Sequence, residues 1–134
     1  MRVLVPLCLA LLLLGICVSN GSAAFPERAI RIVVPFPPGG PVDVVAHIVG
    51  PKLGERLGQS VTIDNVAGDD GIVGSDSVAK APPDGYTLLL ASSSHTIHPG
   101  TYGKLPFDTE KAFAPISLLA GEDLPHALED RVLG

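Results

Sequence analysis

The residues from Ile30 to Asp43 constrain this chain more than any others. Ile30, Ile32, Val33 and Val34 make an apolar, β-branched run, which reads as a buried strand. Pro35, Pro37, Pro38, Gly39 and Gly40 end it, because a Pro/Gly cluster cannot continue inside a sheet. Pro41 suits the first position of a helix, and an amphipathic pattern begins there at once. A strand, a Gly-rich turn and a helix N-terminus in succession favour an anion. The first-turn N–H groups have no intrahelical acceptor, and the helix dipole is positive at that end.

The rest of the pattern predicts an α/β arrangement. The first strand runs Ala29–Val34 and the first helix Pro41–Leu57, with Val42, Val45, Ala46, Val49, Leu53 and Leu57 inward. Pro51 is expected to kink or split that helix near Gly50. A second strand is expected at Ser60–Asp64 and a polar turn at Asn65–Gly71. A second helix follows at Gly71–Ala81, with Val73, Ser77, Val78 and Ala81 inward. Pro82 to Gly85 is a strong turn signal, and Tyr86–Ala91 reads as a third, continuously apolar strand. Ser92–Gly103 reads as a loop with room for a short helix, and Phe113–Leu119 as a fourth strand. Strands alternating with helices at this spacing imply a mostly parallel sheet. Ligands of such sheets sit beyond the carboxyl ends of the strands. Three loops meet that edge: Pro35–Gly40, Asn65–Gly71 and Ser92–His98.

The first 24 residues read as a secretory signal. Met1 and Arg2 start it, Val3 to Val18 is almost wholly apolar, and Ser22, Ala23 and Ala24 suit cleavage after Ala24. An uncleaved anchor and lipidation at Cys17 are the alternatives; Ile16 is too bulky for the latter. Both cysteines, Cys8 and Cys17, lie in this segment, so the remainder is free of thiol chemistry. Export without disulfides points to a bacterial periplasm. Of the nine Lys and Arg residues one is Arg2, and they face fourteen Asp and Glu, so the exported part is acidic. No basic cluster exists and Trp is absent, which argues against nucleic acid and anionic membranes as partners.

The candidate ligand-binding residues are Phe36, Pro38, Gly39, Gly40 and Asp43 in the first loop and Ser92, Ser93, Ser94 and His95 in the third. The glycines let a ligand approach backbone N–H groups, and the serine hydroxyls can donate to a ligand oxygen or cap a helix. Asp43 either complements the helix dipole and caps the first turn, or serves the site by holding the loop or accepting from a ligand amine or water. His95 and His98 lack a third metal-ligating partner, so no metal and no cofactor are expected. Gly68, Asp69, Asp70, Gly71 and Gly74 do not have dinucleotide-fingerprint spacing. A serine hydrolase using one of Ser92–Ser94, His95 or His98 and Asp43 is the enzyme alternative. No Gly-x-Ser-x-Gly elbow supports it.

From Phe25 to Ala120 the chain resembles the substrate-binding receptors of tripartite tricarboxylate transporters, the Bug-type periplasmic proteins. The resemblance is carried by Phe25, Pro26 and Ile30 to Asp43, and by Leu57 to Gln59 with Asp64 and Asn65. It continues through Pro83 to Leu89, Ser92 to His95, Lys104 to Asp108 and Phe113 to Ala120. It implies one partial lobe of a periplasmic-binding-protein fold, no enzymatic activity, a small carboxylate ligand and membrane permease subunits as partners. It also implies that the loop from Phe36 to Asp43 and Ser92 to Ser94 face the cleft. Three departures from the family pattern stand out: Asp70 in place of glycine, Ile72 in place of asparagine and His98 in place of asparagine. The chain stops where a second lobe is expected, and residues 121–134 no longer resemble the family. The expectation is therefore a fragment, 25–120 being its partial first lobe, with a free sheet edge and exposed apolar surface. A small interaction module or a non-functional fragment is the remaining alternative.

Overall fold

The computed structural model describes residues 25–120. The expected signal (1–24) and divergent tail (121–134) lie outside the described residues. The elements in chain order are β1 (Ile30–Val34), α1 (Pro41–Leu57), β2 (Val61–Asn65), a 3₁₀ turn (Asp69–Gly71), α2 (Ile72–Ala79), β3 (Thr87–Leu89) and α3 (Ser94–Thr101).

The three strands form one parallel sheet in the order β2-β1-β3. Ile30 pairs with Val61 and Val34 with Asn65 on one side of β1, and Arg31 pairs with Thr87 and Val33 with Leu89 on the other. The middle place explains the sequence of β1: a strand covered on both faces needs apolar residues on both. Ile32 and Val34 point to one face, where they form a buried cluster with Ala46 of α1. Val33 points to the other face and is fully buried. The one charged residue of β1, Arg31, pairs with Asp64 on β2.

Helix α1 has the expected bounds and the expected inward stripe, but Pro51 does not break it: the helix runs unbroken to Leu57. Pro51 lies on the exposed side, as does His47, whose carbonyl loses the amide donor and can turn to water instead. Gly58 closes the helix in the left-handed conformation, its N–H bonded to the Gly54 carbonyl.

Two further expectations fail. Helix α2 does not turn Val73 inward; that side chain is 44% exposed. Gly71, Gly74 and Ser75 are buried in its place. The reason is distance. A Cβ on Gly74 would lie 2.7 Å from both Pro35 Cβ and the Val66 carbonyl oxygen, so only the small face fits. Residues 113–119 form no strand. Ile116 and Leu118 are 80% and 84% exposed, and the segment joins neither edge of the sheet.

Gly74→Ala should therefore destabilise the chain by about 1–3 kcal/mol through overpacking. Urea unfolding midpoints check this; an unchanged midpoint would show that Pro35 and the Val66 carbonyl can give way.

Candidate functional site

Parallel strands end at one edge, and the order β2-β1-β3 makes the chain leave β1 in one direction and return past it in the other. The gap between the carboxyl ends of β1 and β3 is thus the switch point where open α/β sheets take ligands. A shallow crevice lies there. Pro35 and Phe36 follow β1, Ala91, Ser92 and Ser94 follow β3, and Asp70, Gly71 and Ser75 come from the turn and start of α2. His95 and His98 of α3 complete the wall. The space among these residues amounts to about 150 Å³, part of it open to solvent.

Gly71 is what lets the turn come so close. Its φ of +93° suits glycine, and a Cβ there would meet Phe36 Cζ at 3.3 Å. Ser92 and Ser94 Oγ lie 2.8 Å apart, so their hydroxyls are paired and share one surface of the crevice. Ser75 Oγ lies 3.4 Å from His95 Nδ1. The His95 ring stacks on Phe107 and takes Phe113 edge-on, with centroids 5.9 and 4.9 Å away. Burial, with a smaller contribution from neighbouring His98, lowers the His95 pKa below its ordinary 6.5.

Of the nine residues expected to bind ligand, Phe36, Ser92, Ser94 and His95 line the crevice. Pro38, Gly39 and Gly40 lie farther along the loop, outside its lining, and Ser93 is exposed as the N-cap of α3. Asp43 is 6% exposed and serves as a clamp beneath the loop. Its Oδ2 accepts from the Gly39 amide at 2.8 Å and its Oδ1 from Asn65 Nδ2 at 2.9 Å. Asn65 Nδ2 also donates to the Phe36 carbonyl at 3.2 Å. Both carboxylate oxygens are engaged by the protein, so of its expected roles Asp43 takes the loop-holding one. Those bonds, Gly39's first and Asn65's second, hold its pKa below the usual 3.8 against the opposing effect of burial.

Besides Pro35, Asp70, Ala91 and His98, the lining includes Gly71 and Ser75, which the expected ligand-binding set omits as well. Their signal was the small-residue spacing Gly71, Gly74, Ser75, which marks one helix face in close contact. The Ser–His–Asp relay of the hydrolase alternative is not assembled. Ser92 and Ser94 bond to each other, His95 faces Ser75, and Asp43 is held in the loop clamp. Among the described residues no group of three or more His, Cys, Asp or Glu could hold a metal ion.

The family model described as tripartite tricarboxylate transporter family receptor matches residues 45–128. A protein of the tcbD-tcbE intergenic region of Pseudomonas sp. (strain P51) is 48% identical over 97 residues, covering 72% of this chain and 29% of that protein. Protein BugT of Bordetella pertussis is 39% identical over 116 residues, covering 85% of this chain and 35% of BugT. The chain thus spans about a third of the length of the curated relatives it matches. The solved structure of MatC from Rhodopseudomonas palustris with bound malate superposes with a TM-score of 0.66 at 38% identity. That match covers 71% of this chain and 33% of MatC. Another, described as a periplasmic transporter, gives a TM-score of 0.62 at 40% identity, covering 64% of this chain and 29% of that one.

Two pH dependences follow. Asp43 has a depressed pKa in the folded state, so its stabilisation is present above pH 3.8 and lost as pH falls through the lower folded value. Asp43→Asn should be less stable than the wild type at pH 7, and the gap should close as pH falls below about 3.8; urea midpoints across pH 7 to 2.5 test this. A gap independent of pH would mean that the carboxylate charge is not what the clamp uses. His95 resists protonation when folded, so stability is present above pH 6.5 and lost as pH falls through it. His95→Phe, which keeps an aromatic ring against Phe107 and Phe113, should show a flatter thermal stability profile between pH 7.5 and 5 than the wild type.

Proposed function

The chain belongs to the tripartite tricarboxylate transporter receptor family, and from that membership we propose that it is receptor material for a small carboxylate in the periplasm. The complete receptor would hand its solute to the permease subunits of a tripartite tricarboxylate transporter. It performs no catalysis in this reading. MatC, the structural neighbour solved with bound malate, supports the carboxylate class.

The observation that carries the reading is the crevice at the β1/β3 switch point with paired Ser92 and Ser94 hydroxyls on its wall. A carboxylate offers two oxygens with several lone pairs, and two hydroxyls 2.8 Å apart can turn their hydrogens from each other to those oxygens. Such an exchange costs one Ser–Ser hydrogen bond and gains two charge-assisted ones. The helix N-terminus at Pro41, which the sequence favoured as the anion site, lies outside the crevice lining, and the loop before it supports the wall. Its Gly39 amide is bonded to Asp43, and the loop it stiffens places Phe36 in the wall.

Differential scanning fluorimetry with a panel of millimolar carboxylates (acetate, butyrate, lactate, succinate, malate) tests this. At least one acid should raise the melting temperature in a dose-dependent way. The Ser92→Ala/Ser94→Ala double variant should weaken that binding by about tenfold, the loss of one or two hydrogen bonds to a charged group. A panel in which no acid shifts the transition would contradict the reading.

A further inference from the structure

Asp70 is the one lining residue that a carboxylate site should not want. It lies on the crevice wall, and its side chain is 56% exposed. It and Asp69 adopt left-handed backbone, with φ of 53° and 45°, which non-glycine residues enter at some cost. That geometry brings Asp70 Oδ2 to 3.2 Å from His98 Nε2.

His98 braces Asp70 from the interior. The imidazole is 3% exposed, and its other nitrogen, Nδ1, is buried without a hydrogen-bond partner among the described residues. His98 Nε2 is the nitrogen that faces the Asp70 carboxylate, so the wall presents an acidic side chain braced by a buried ring. Among the described residues no Lys or Arg lines the crevice, and burial holds the His95 pKa below its ordinary value. Lys80, the C-cap of α2, is already paired with Asp76.

We propose that the Asp70–His98 pair is the specificity-determining element of this crevice, admitting ligands with a single carboxylate and disfavouring dicarboxylates. This rests on the carboxylate-receptor reading and narrows it to a ligand class. A first carboxylate can sit against Ser92 and Ser94. A second one meets the Asp70 carboxylate within a site only a few residues across and, among the described residues, no Lys or Arg. At a separation of about 6 Å and an effective dielectric of 20–40, that repulsion amounts to about tenfold or more in affinity. The malate-bound neighbour carries a dicarboxylate, so this chain would differ from it in selectivity.

Calorimetric titration of the protein with butyrate and with succinate at pH 7.5 tests the proposal. The two acids have the same chain length and differ by one carboxylate. Butyrate should bind at least about tenfold more tightly, and raising the ionic strength should narrow the gap. Asp70→Asn should reduce the ratio to below about threefold, mainly by tightening succinate. Asparagine tolerates left-handed backbone and keeps an oxygen for His98 Nε2–H, so the turn should survive. Succinate binding as tightly as butyrate in the wild type would overturn the proposal while leaving the receptor reading intact. An Asp70→Asn variant with an unchanged ratio would also overturn it. If no acid of the wider panel binds at all, both readings fall together.

Discussion

Strand β1 pairs with β2 on one side and with β3 on the other, and this two-sided pairing fixes where three loops begin. Because both ladders are parallel, Val34, Asn65 and Leu89 all end at the same edge. Helix α1 buries Ile32 and Val34 on one face, while Val33 is sealed on the other. A strand buried so completely cannot slip in register without sending its whole apolar set to the wrong face. Pro35 and Phe36 follow it directly, so β1 fixes where one wall of the crevice begins.

The edge is built from two different kinds of residue. Asp43 and Asn65 support it from beneath, tying the Gly39 amide and the Phe36 carbonyl to the ends of α1 and β2. Ser92, Ser94, His95 and Ser75 present hydroxyl and imidazole groups on the surface. Small residues let these parts meet. Gly71 and Gly74 bring the turn and α2 against Pro35 and Phe36, where a methyl group would clash or crowd. The carboxylate-binding reading therefore depends on backbone packing as much as on the polar side chains.

Several features were legible because they are local. The β-branched run, the Pro/Gly stop and Pro41 specify β1 and the start of α1, and the parallel pairing follows from the strand–helix alternation. What was not legible depends on partners distant in sequence. Phe113 to Leu119 reads as a strand by composition, but a strand needs an edge to join, and in the described residues it finds none. Val73 looks like core by residue type, yet Pro35 and Val66 leave room only for Gly74 on that face of α2. Asp43 held more than one possible role until Asn65, 22 residues away, was seen to bond it. The pairing of Asp70 with His98, 28 residues apart, has no sequence periodicity to announce it.

The central claim is that a small carboxylate enters between the carboxyl ends of β1 and β3. The most direct measurement is an amide NMR titration of the ¹⁵N-labelled protein with butyrate. The account predicts that the largest shift changes fall on Phe36, Gly71, Ser92, Ser94 and His95, with Gly39 and Gly40 little affected. Changes centred on Gly39, Gly40 and the first turn of α1, with the residues after β3 silent, would place the anion at the helix terminus and contradict it.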